Sequence, residues 1–368
     1  MPILPRMQAV EILTKYWGHN RFRPLQEEII NSVVLKQDTL AILPTGGGKS
    51  ICFQIPGLIL GGITLVVSPL ISLMNDQVEN LRKKGLSALA FHSGLSKREA
   101  DIEYMNFKNG KYKFVYVSPE RLKTEQFKEI IALTNVTLLA VDEAHCISQW
   151  GYDFRPEYLL ISEIRTFLSE IPCIALTASA TPKVEKDILK YLNFNAEQNI
   201  FRQTIIRPNL KYVVLEEENK NERLLKIVIR LGGTGIVYVK NRKSTAMVAS
   251  LLNKNNIKAD YYHAGLTYEE RNKKQELWQS GSIRIIVCTN AFGMGIDKGN
   301  VRFVVHYDIP ESPEAYYQEA GRAGRDGADS WCILMYCQPD MVLAEQQLNS
   351  KFLDKKKVEA IFVVLCNQ

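Results

Sequence analysis

The sequence predicts an α/β protein made of two tandem parallel-sheet units, and three observations support this fold class. Short, continuously apolar segments alternate with amphipathic segments of helical length along most of the 368 residues. Such strands are typical of a parallel sheet that is covered on both faces. The alternation stops over residues 195–209, which include Pro208, and then resumes. The length also suits two domains of roughly 150 residues each.

The first half opens with two predicted helices at residues 7–17 and 25–35. Apolar runs of strand length then predict strands at 39–43, 63–69, 88–92, 114–117, 136–141 and 173–176. Helices are predicted between them at 51–60, 70–84, 97–107, 158–168 and 183–192. One more helix is expected after Ser118, because Pro119 suits the first turn of a helix.

We place the domain boundary near residue 207, which gives domains at 1–207 and 208–345. The second domain has predicted strands at 235–239, 259–263, 283–288, 301–306 and 331–336, with helices at 223–231, 244–252, 268–279 and 313–323. Residues 346–368 are expected to start a C-terminal extension, because an apolar run follows Lys355 to the end of the chain.

Composition narrows the class of protein. A hydrophobic content of 46% and a charged content of 23% are ordinary for a globular protein. No run approaches the ~20 apolar residues of a membrane span, and residues 1–7 contain no apolar core of a signal peptide. We therefore expect a cytoplasmic protein without a membrane partner, associated with the nucleoid if its host is bacterial. The net charge of +6 permits a polyanionic partner but does not require one.

The seven cysteines are scattered and odd in number. Most lie inside apolar segments, which predicts reduced, buried thiols. No two of them form a Cys-x-x-Cys pair, so no zinc site is expected within this chain.

A glycine-rich segment between a predicted strand and a predicted helix is typical of a phosphate-binding loop. It reads Thr45, Gly46, Gly47, Gly48, Lys49 and Ser50. Glycines allow successive backbone N–H groups to turn toward a phosphate, and the helix N-terminus adds partial positive charge. Lys49 is expected to reach the β- and γ-phosphates of ATP, and the Ser50 hydroxyl to bind Mg²⁺.

Two carboxylates follow the strand predicted at 136–141. Ligands collect at the carboxyl ends of parallel strands, so Asp142 is expected near the phosphate loop. Its carboxylate can hold Mg²⁺ together with Ser50. Glu143 is then placed to orient and deprotonate the attacking water.

Two further segments carry candidate ATP contacts. The Gln26 amide, at the start of the second helix, can pair with the donor and acceptor edge of adenine. Arg322 and Arg325 are three residues apart, a spacing that predicts that both lie on one helical face. A guanidinium on the γ-phosphate stabilises the transition-state charge. These arginines belong to the second half, so they require the two halves to face each other.

Taken together, these segments resemble superfamily 2 helicases, and more specifically the RecQ family. The matching strings, in order, are TGGGKS, SPLISLMNDQV, VDEAHCISQWGYDFRPEY, ALTASAT, FGMGIDK and YYQEAGRAGRDG. The resemblance implies two RecA-like lobes with ATP in the cleft between them. It further implies 3′→5′ unwinding of DNA in repair or recombination, with single-stranded DNA and tailed duplexes as partners and a monomer favoured.

The resemblance also implies roles for individual residues. Arg23 and Gln26 match the adenine-contacting segment, while His19 stands where an aromatic residue usually stacks on the base. Asp297, in FGMGIDK, is expected to bind ATP. Gln318, Arg322 and Arg325 match the last motif, with Arg325 as the arginine finger.

Residues 148–158 match the aromatic-rich loop of the family, which continues directly from Glu143. Trp150 and Phe154 offer faces on which bases can stack, and Arg155 adds charge. The alternative is that these aromatic side chains pack under the sheet. Thr177 and Ser179 match the segment that links hydrolysis to lobe movement.

Two other functions remain open at this point. One is an RNA helicase of the DEAD/DEAH kind, although such proteins usually carry His-Arg-x-Gly-Arg where this chain has Gln-Glu-Ala-Gly-Arg at 318–322. The other is an ATP-gated module that binds or anneals nucleic acid without turnover. The presence of all the catalytic side chains argues against it.

Overall fold

The computed structural model describes residues 3–351, apart from 93, 95–96, 152, 195–198, 205 and 293–297. The chain divides into two compact units: unit 1 ends at Ile206, and unit 2 begins at Arg207. Each unit contains one sheet in which all paired strands are parallel, as the fold class predicted. Within the described ranges, no helix is long and apolar enough to cross a membrane.

The sheet of unit 1 has seven strands, in the order β3-β4-β2-β5-β6-β1-β7. Their bounds are β1 (Thr39–Ile42), β2 (Ile63–Val67), β3 (Ala88–Phe91), β4 (Phe114–Val117), β5 (Val136–Val141), β6 (Cys173–Thr177) and β7 (Ile200–Arg202). Strands β1 to β6 are buried almost throughout, because helices cover both faces.

Eight α-helices of unit 1 are described: α1 (Ile3–Trp17), α2 (Gln26–Val34), α3 (Ile51–Leu60), α4 (Ile71–Lys83), α5 (Lys97–Lys108), α6 (Glu125–Leu133), α7 (Ile161–Phe167) and α8 (Pro182–Tyr191). Alternate residues of one strand enter different apolar cores. Leu40 and Ile42 pack on one face of the sheet, and Ala41 and Leu43 on the other. This two-residue period is the reason that the strands are apolar without interruption.

The sheet of unit 2 has six strands, in the order β10-β11-β9-β12-β13-β8. Their bounds are β8 (Leu210–Glu216), β9 (Thr234–Tyr238), β10 (Ala259–Tyr262), β11 (Ile285–Cys288), β12 (Val301–His306) and β13 (Ser330–Tyr336). The described helices of this unit are α9 (Lys220–Leu231), α10 (Arg242–Lys254), α11 (Tyr268–Gln279), α12 (Pro313–Ala320) and α13 (Gln338–Lys351).

The structure differs from the sequence-based expectations at a few elements. Strands β7 and β8 were not predicted, because edge strands are partly exposed and lack a continuous apolar run. The helix expected after Ser118 is a 3₁₀ helix, Pro119–Lys123, followed by α6. The helix expected at 158–168 likewise begins as a 3₁₀ helix, Pro156–Leu160. Helix α13 was also missed, and the apolar run after Lys355 lies outside the described residues.

A buried ion pair holds the amino ends of β1 and β6 together. Arg165 donates to both oxygens of Asp38, at 2.8 and 2.7 Å. The first of these oxygens also accepts the backbone N–H of Cys173 at 2.8 Å. The side chains are only 8% and 16% exposed, so the pair is largely shielded from water. It lies at the opposite end of these strands from the loops that carry the candidate site.

Candidate functional site

The phosphate loop, residues 43–50, connects β1 to α3 as the sequence predicts. Gly46 and Gly48 have φ angles of +81° and +75°, a region that suits glycine. A Cβ atom on Gly47 would come within 2.9 Å of the Pro44 carbonyl oxygen. All three glycines are therefore needed for this backbone path.

Gln26 and Arg23 lie directly against the phosphate loop. The Gln26 side-chain amide donates to the carbonyl oxygens of Gly47 and Gly48, at 3.2 and 3.1 Å, and its Oε1 accepts from the Arg23 backbone at 2.9 Å. Arg23 also donates to the Gly46 carbonyl. Only 2% of Gln26 is exposed, so its amide contacts the loop backbone in this structure. His19 is exposed on the segment that precedes them.

Asp142 and Glu143, the acid pair, follow β5. Strand β6 lies between β5 and β1, and the parallel register puts the acid pair and the phosphate loop at the same edge of the sheet. Burial and the neighbouring Glu143 carboxylate raise the pKa of Asp142 to about 7, while the Lys49 ammonium acts in the opposite direction. Lys49 therefore lies close enough to interact with Asp142.

Glu143 has a left-handed backbone conformation, with φ of +47° and ψ of +47°. This conformation is uncommon for a residue other than glycine and often accompanies function. Only 8% of Glu143 is exposed, and its Oε2 is buried without a hydrogen-bond partner. The same atom lies 3.4 Å from His145 Nδ1. The carboxylate is thus held in place but keeps an acceptor available.

A buried polar chain connects the acid pair with the segment after β6. His145 Nδ1 lies 3.0 Å from Thr177 Oγ1, and this hydroxyl donates to the Ser179 carbonyl at 3.0 Å. The Ser179 N–H approaches the hydroxyl at 3.3 Å. Burial lowers the pKa of His145, which favours its neutral form. Sequence reasoning gave His145 no role, and only its place two residues after Glu143 could have suggested one.

The aromatic loop, residues 148–158, follows the acid pair and is fastened to α8. Ser148 donates to Asp187 at 2.6 Å and accepts from the Trp150 N–H at 3.1 Å. The Trp150 ring is 61% exposed, which excludes the alternative that it packs under the sheet. The Lys183 ammonium lies 3.0 Å from the ring centroid. No local sequence signal pointed to Lys183 or Asp187.

The other residues of this loop differ in their surroundings. Phe154 is half-buried, and Tyr152 lies outside the described residues. Arg155 donates to Asp153 at 3.0 and 3.2 Å and to the Pro69 carbonyl at 2.6 Å. Its charge is therefore partly compensated within the loop.

In unit 2, Gln318 lies on α12, while Arg322 and Arg325 lie on the arginine turn, residues 321–326. The expectation that both arginines share one helical face is wrong, because α12 ends at Ala320. The N–H groups of Arg322 and Ala323 bond three residues back, that of Gly324 donates to the Val301 carbonyl, and Gly324 has a φ of +56°. Arg322 is 5% exposed and interacts with the Tyr238 hydroxyl, whereas Arg325 is partly exposed. Asp297 lies outside the described residues.

We assign no part in this chemistry to the cysteines of the described ranges. Of those in the described ranges, five are buried, one is partly exposed and none forms a disulfide. Burial raises the pKa of Cys52, beside Lys49, to about 12. Burial also raises the pKa of Cys173, Cys288 and Cys332, so the buried thiols stay protonated.

Two family models match the chain. The model described as DEAD/DEAH box helicase matches residues 23–188, and the one described as Helicase conserved C-terminal domain matches residues 219–327. The first range contains the phosphate loop and the acid pair, and the second contains the arginine turn.

Several curated proteins are similar over most of the chain. The ATP-dependent DNA helicase RecQ of Bacillus subtilis is 44% identical over 91% of this chain and 57% of its own length. The RecQ of Haemophilus influenzae is 39% identical over 98% of this chain and 59% of its own length. The chain thus spans less than two thirds of these relatives. A B. subtilis protein described as "Probable ATP-dependent DNA helicase RecS" is 38% identical over 96% of this chain and 72% of its own length.

Solved structures with low sequence identity share the fold. Mycobacterium smegmatis helicase Lhr bound to ssDNA and AMP-PNP has a TM-score of 0.71 at 19% identity, covering 90% of this chain and 47% of that chain. S. cerevisiae Dbp5 bound to RNA and ADP BeF3 has a TM-score of 0.71 at 16% identity, covering 94% of this chain and 91% of that chain. Both units therefore have RecA-like helicase folds. Given this fold, the helicase models and the identity to RecQ and RecS proteins, the chain belongs to the RecQ family of ATP-dependent DNA helicases.

Proposed function

We propose that this chain is a DNA-stimulated ATPase that moves 3′→5′ along single-stranded DNA and unwinds duplexes, in repair or recombination. One observation carries the proposal. A single segment after β5 contains the acid pair and then the aromatic loop, whose Trp150 ring is 61% exposed. A base stacked on this ring can therefore affect the position of Glu143 through the backbone that joins them. The names of the RecQ relatives support the same activity.

ATP is expected to bind with its phosphates on the backbone N–H groups of the phosphate loop and on Lys49. The hydroxyl of Thr45 is buried there without a hydrogen-bond partner, which suits a loop that receives a polar ligand. Gln26, Arg23 and His19 would adjoin the base. Because the Gln26 amide now bonds the loop carbonyls, contact with adenine requires it to exchange these partners.

The residues present fit a magnesium ion. Ser50 and Asp142 would hold it, and their oxygen donors are of the type that Mg²⁺ prefers. The raised pKa of Asp142 shows that its surroundings penalise negative charge, which a divalent cation would relieve. In the described ranges, no group of three or more His, Cys, Asp or Glu residues forms a metal cluster. When bound, the ion neutralises charge on the β- and γ-phosphates.

In hydrolysis, Glu143 accepts a proton from the attacking water through its unbonded Oε2. His145 and Thr177 keep that carboxylate oriented and connect it with Ser179.

We propose that Gln318, Arg322 and Arg325 act on the same nucleotide during turnover and stabilise the γ-phosphate charge. Asp297 is proposed to assist ATP binding. Trp150, Phe154 and Arg155 would contact DNA.

We also propose that residues 1–207 form the ATP-binding domain, 208–345 the second helicase domain and 346–368 the start of an extension. We further propose that the chain acts as a monomer, and light scattering of the purified chain would measure its mass in solution. Its proposed substrate is tailed duplex DNA, which in a bacterial host includes the DNA of the nucleoid.

Strand displacement tests the proposal directly. Labelled duplexes with a 3′ tail, a 5′ tail or no tail are incubated with the chain, ATP and magnesium, beside matched RNA duplexes. We expect release of the labelled strand from the 3′-tailed DNA only. Preferential unwinding of RNA would instead assign the chain to RNA helicases, and ATP-independent strand annealing would assign it to the annealing modules.

The Glu143→Gln variant is the control that tests whether strand release depends on ATP hydrolysis. It is expected to bind ATP normally but to lose hydrolysis by ~10²–10⁴-fold, because the amide cannot accept a proton. It should also fail to release the strand. Normal turnover in this variant would show that Glu143 is not the base.

A further inference from the structure

The arginine turn is held by the side chain of Arg207, the first residue of unit 2 in the sequence. Arg207 donates from one Nη atom to the Gly321 carbonyl at 2.9 Å. Its other Nη atom donates to the carbonyls of Ala323 and Gly324, at 3.0 and 2.5 Å. Three carbonyl oxygens of one turn therefore converge on a single guanidinium. The partners are 114 to 117 residues apart in sequence.

The end of α12 provides the physical reason for this contact. The Gly321, Ala323 and Gly324 carbonyls lie beyond the last residue of α12, Ala320, where no regular helical ladder continues, so donors from elsewhere must satisfy them. A guanidinium has five N–H donors in a rigid planar fork and can bond several oxygens at once. Lysine offers a point charge instead. The site is therefore specific for arginine in its geometry as well as its charge.

Asn209 reinforces the same contact. Its side-chain amide donates to the Gly324 carbonyl at 2.8 Å and to the Ala328 carbonyl at 3.1 Å. A Cβ atom on Gly324 would come within 2.5 Å of this amide. Residues 207 and 209 thus pack closely around the turn, just before β8 begins at Leu210.

We propose that Arg207 is a positioning residue for hydrolysis, and that it sets the backbone from which Arg322 and Arg325 project. This proposal rests on the proposed function, in which these two arginines act on the nucleotide. Their turn follows no regular helical ladder, so its shape depends on the contacts that fix it from outside. A displacement of about 1 Å in a positioned catalytic group can cost on the order of 10²-fold in rate.

The test compares Arg207→Lys with the parent chain in DNA-stimulated ATPase assays. We expect kcat to fall by about 10–100-fold. The affinity for single-stranded DNA and the melting temperature should change little, because lysine keeps the charge and most of the packing. The Arg207→Ala variant should lose at least as much, and millimolar guanidinium should restore part of its rate by refilling the vacated site.

Arg284 provides a matched control in the same unit. It also bonds carbonyl oxygens, those of Gly233 and Val228, at 2.7 and 2.6 Å, but none of the arginine turn. Arg284→Lys should therefore retain the parent kcat, and guanidinium should not stimulate Arg284→Ala. Arg207 has no special positioning role if Arg207→Lys keeps a kcat within about twofold of the parent. The same conclusion follows if kcat falls as far in Arg284→Lys as in Arg207→Lys.

The Arg325→Ala variant separates this proposal from the function on which it rests. An inactive Arg325→Ala together with a fully active Arg207→Lys would overturn the positioning role alone. A fully active Arg325→Ala would instead remove the catalytic role of the turn, whatever Arg207 does. If Arg207→Ala does not fold, Arg207→Lys still decides the question through its kcat.

Discussion

Removal of one atom, the Thr177 hydroxyl oxygen, tests whether the contact between the acid pair and the segment after β6 matters for hydrolysis. The side chain is completely buried. Its Oγ1 lies within hydrogen-bond distance of His145 Nδ1, of the Ser179 carbonyl and of the Ser179 N–H, at 3.0, 3.0 and 3.3 Å. Thr177→Val removes this oxygen but keeps the branched shape, so the packing around it changes little.

The structure gives the size of the effect. Three polar groups lose this partner, one of them on the buried His145, and leaving a buried group without its partner costs roughly 1–3 kcal/mol of unfolding free energy. His145 Nδ1 then loses its hydroxyl partner 3.0 Å away, while its approach to Glu143 is the longer 3.4 Å, so the carboxylate is less well oriented. We expect kcat for ATP to fall about tenfold, which corresponds to ~1.4 kcal/mol of transition-state stabilisation.

Thr39→Val is the matched control. Thr39 is equally buried, and its Oγ1 lies 2.8 Å from Ser32 Oγ and 3.0 Å from the Gln37 carbonyl. In the register of β1 with β6, Thr39 pairs with Ile174 and Ile42 pairs with Thr177, so Thr39 lies at the opposite end of the sheet from the site. Its substitution should cost similar unfolding free energy without lowering kcat.

Urea unfolding and steady-state ATPase assays on the parent and the two variants measure both quantities. The reasoning requires comparable stability losses with a loss of kcat in Thr177→Val alone. Equal kcat values for all three proteins would show that the buried polar chain only supports the fold. A tenfold loss in Thr39→Val as well would show that general destabilisation lowers activity.

Three further predictions concern other parts of unit 1. Trp150→Ala should keep basal hydrolysis but lose DNA stimulation, because the exposed ring is the surface on which a base stacks. Phe167→Ala is the control, because this side chain is similarly exposed, at 64%. Equal DNA stimulation of the ATPase in both variants would contradict the role of Trp150. Asp38→Ala should lower the unfolding free energy by about 3–5 kcal/mol, because it leaves Arg165 buried without its carboxylate; a loss below about 1 kcal/mol in urea unfolding would disagree with this. Burial lowers the pKa of His145, so the folded state binds fewer protons there than the unfolded state. Stability from this residue should be complete above about pH 6.5 and decline as the pH falls below it, and His145→Asn should show a shallower decline.

Much of the candidate site could be predicted because its signals are local. A phosphate loop depends on glycines between a strand and a helix, and Gly46 and Gly48 have the positive φ angles that glycine adopts readily. The acid pair was expected at the same edge, because carboxyl ends of parallel strands meet there. Other parts depended on distant partners. The burial of Gln26 against the loop and the position of Lys183 beside Trp150 arise from contacts that no local pattern encodes.

By itself, the sequence determined the alternation of strands and helices, and it placed the glycine-rich loop after β1 and the acid pair after β5. These follow from periodicity and turn chemistry within about ten neighbouring residues. Only the tertiary structure decided that β6 lies between those strands, that α12 ends before Arg322 and that Arg207 holds the arginine turn. Strand order and the partners of the carbonyls in an irregular turn are chosen by packing between segments far apart in the chain. The interactions that stabilise them therefore exist only once the chain has folded.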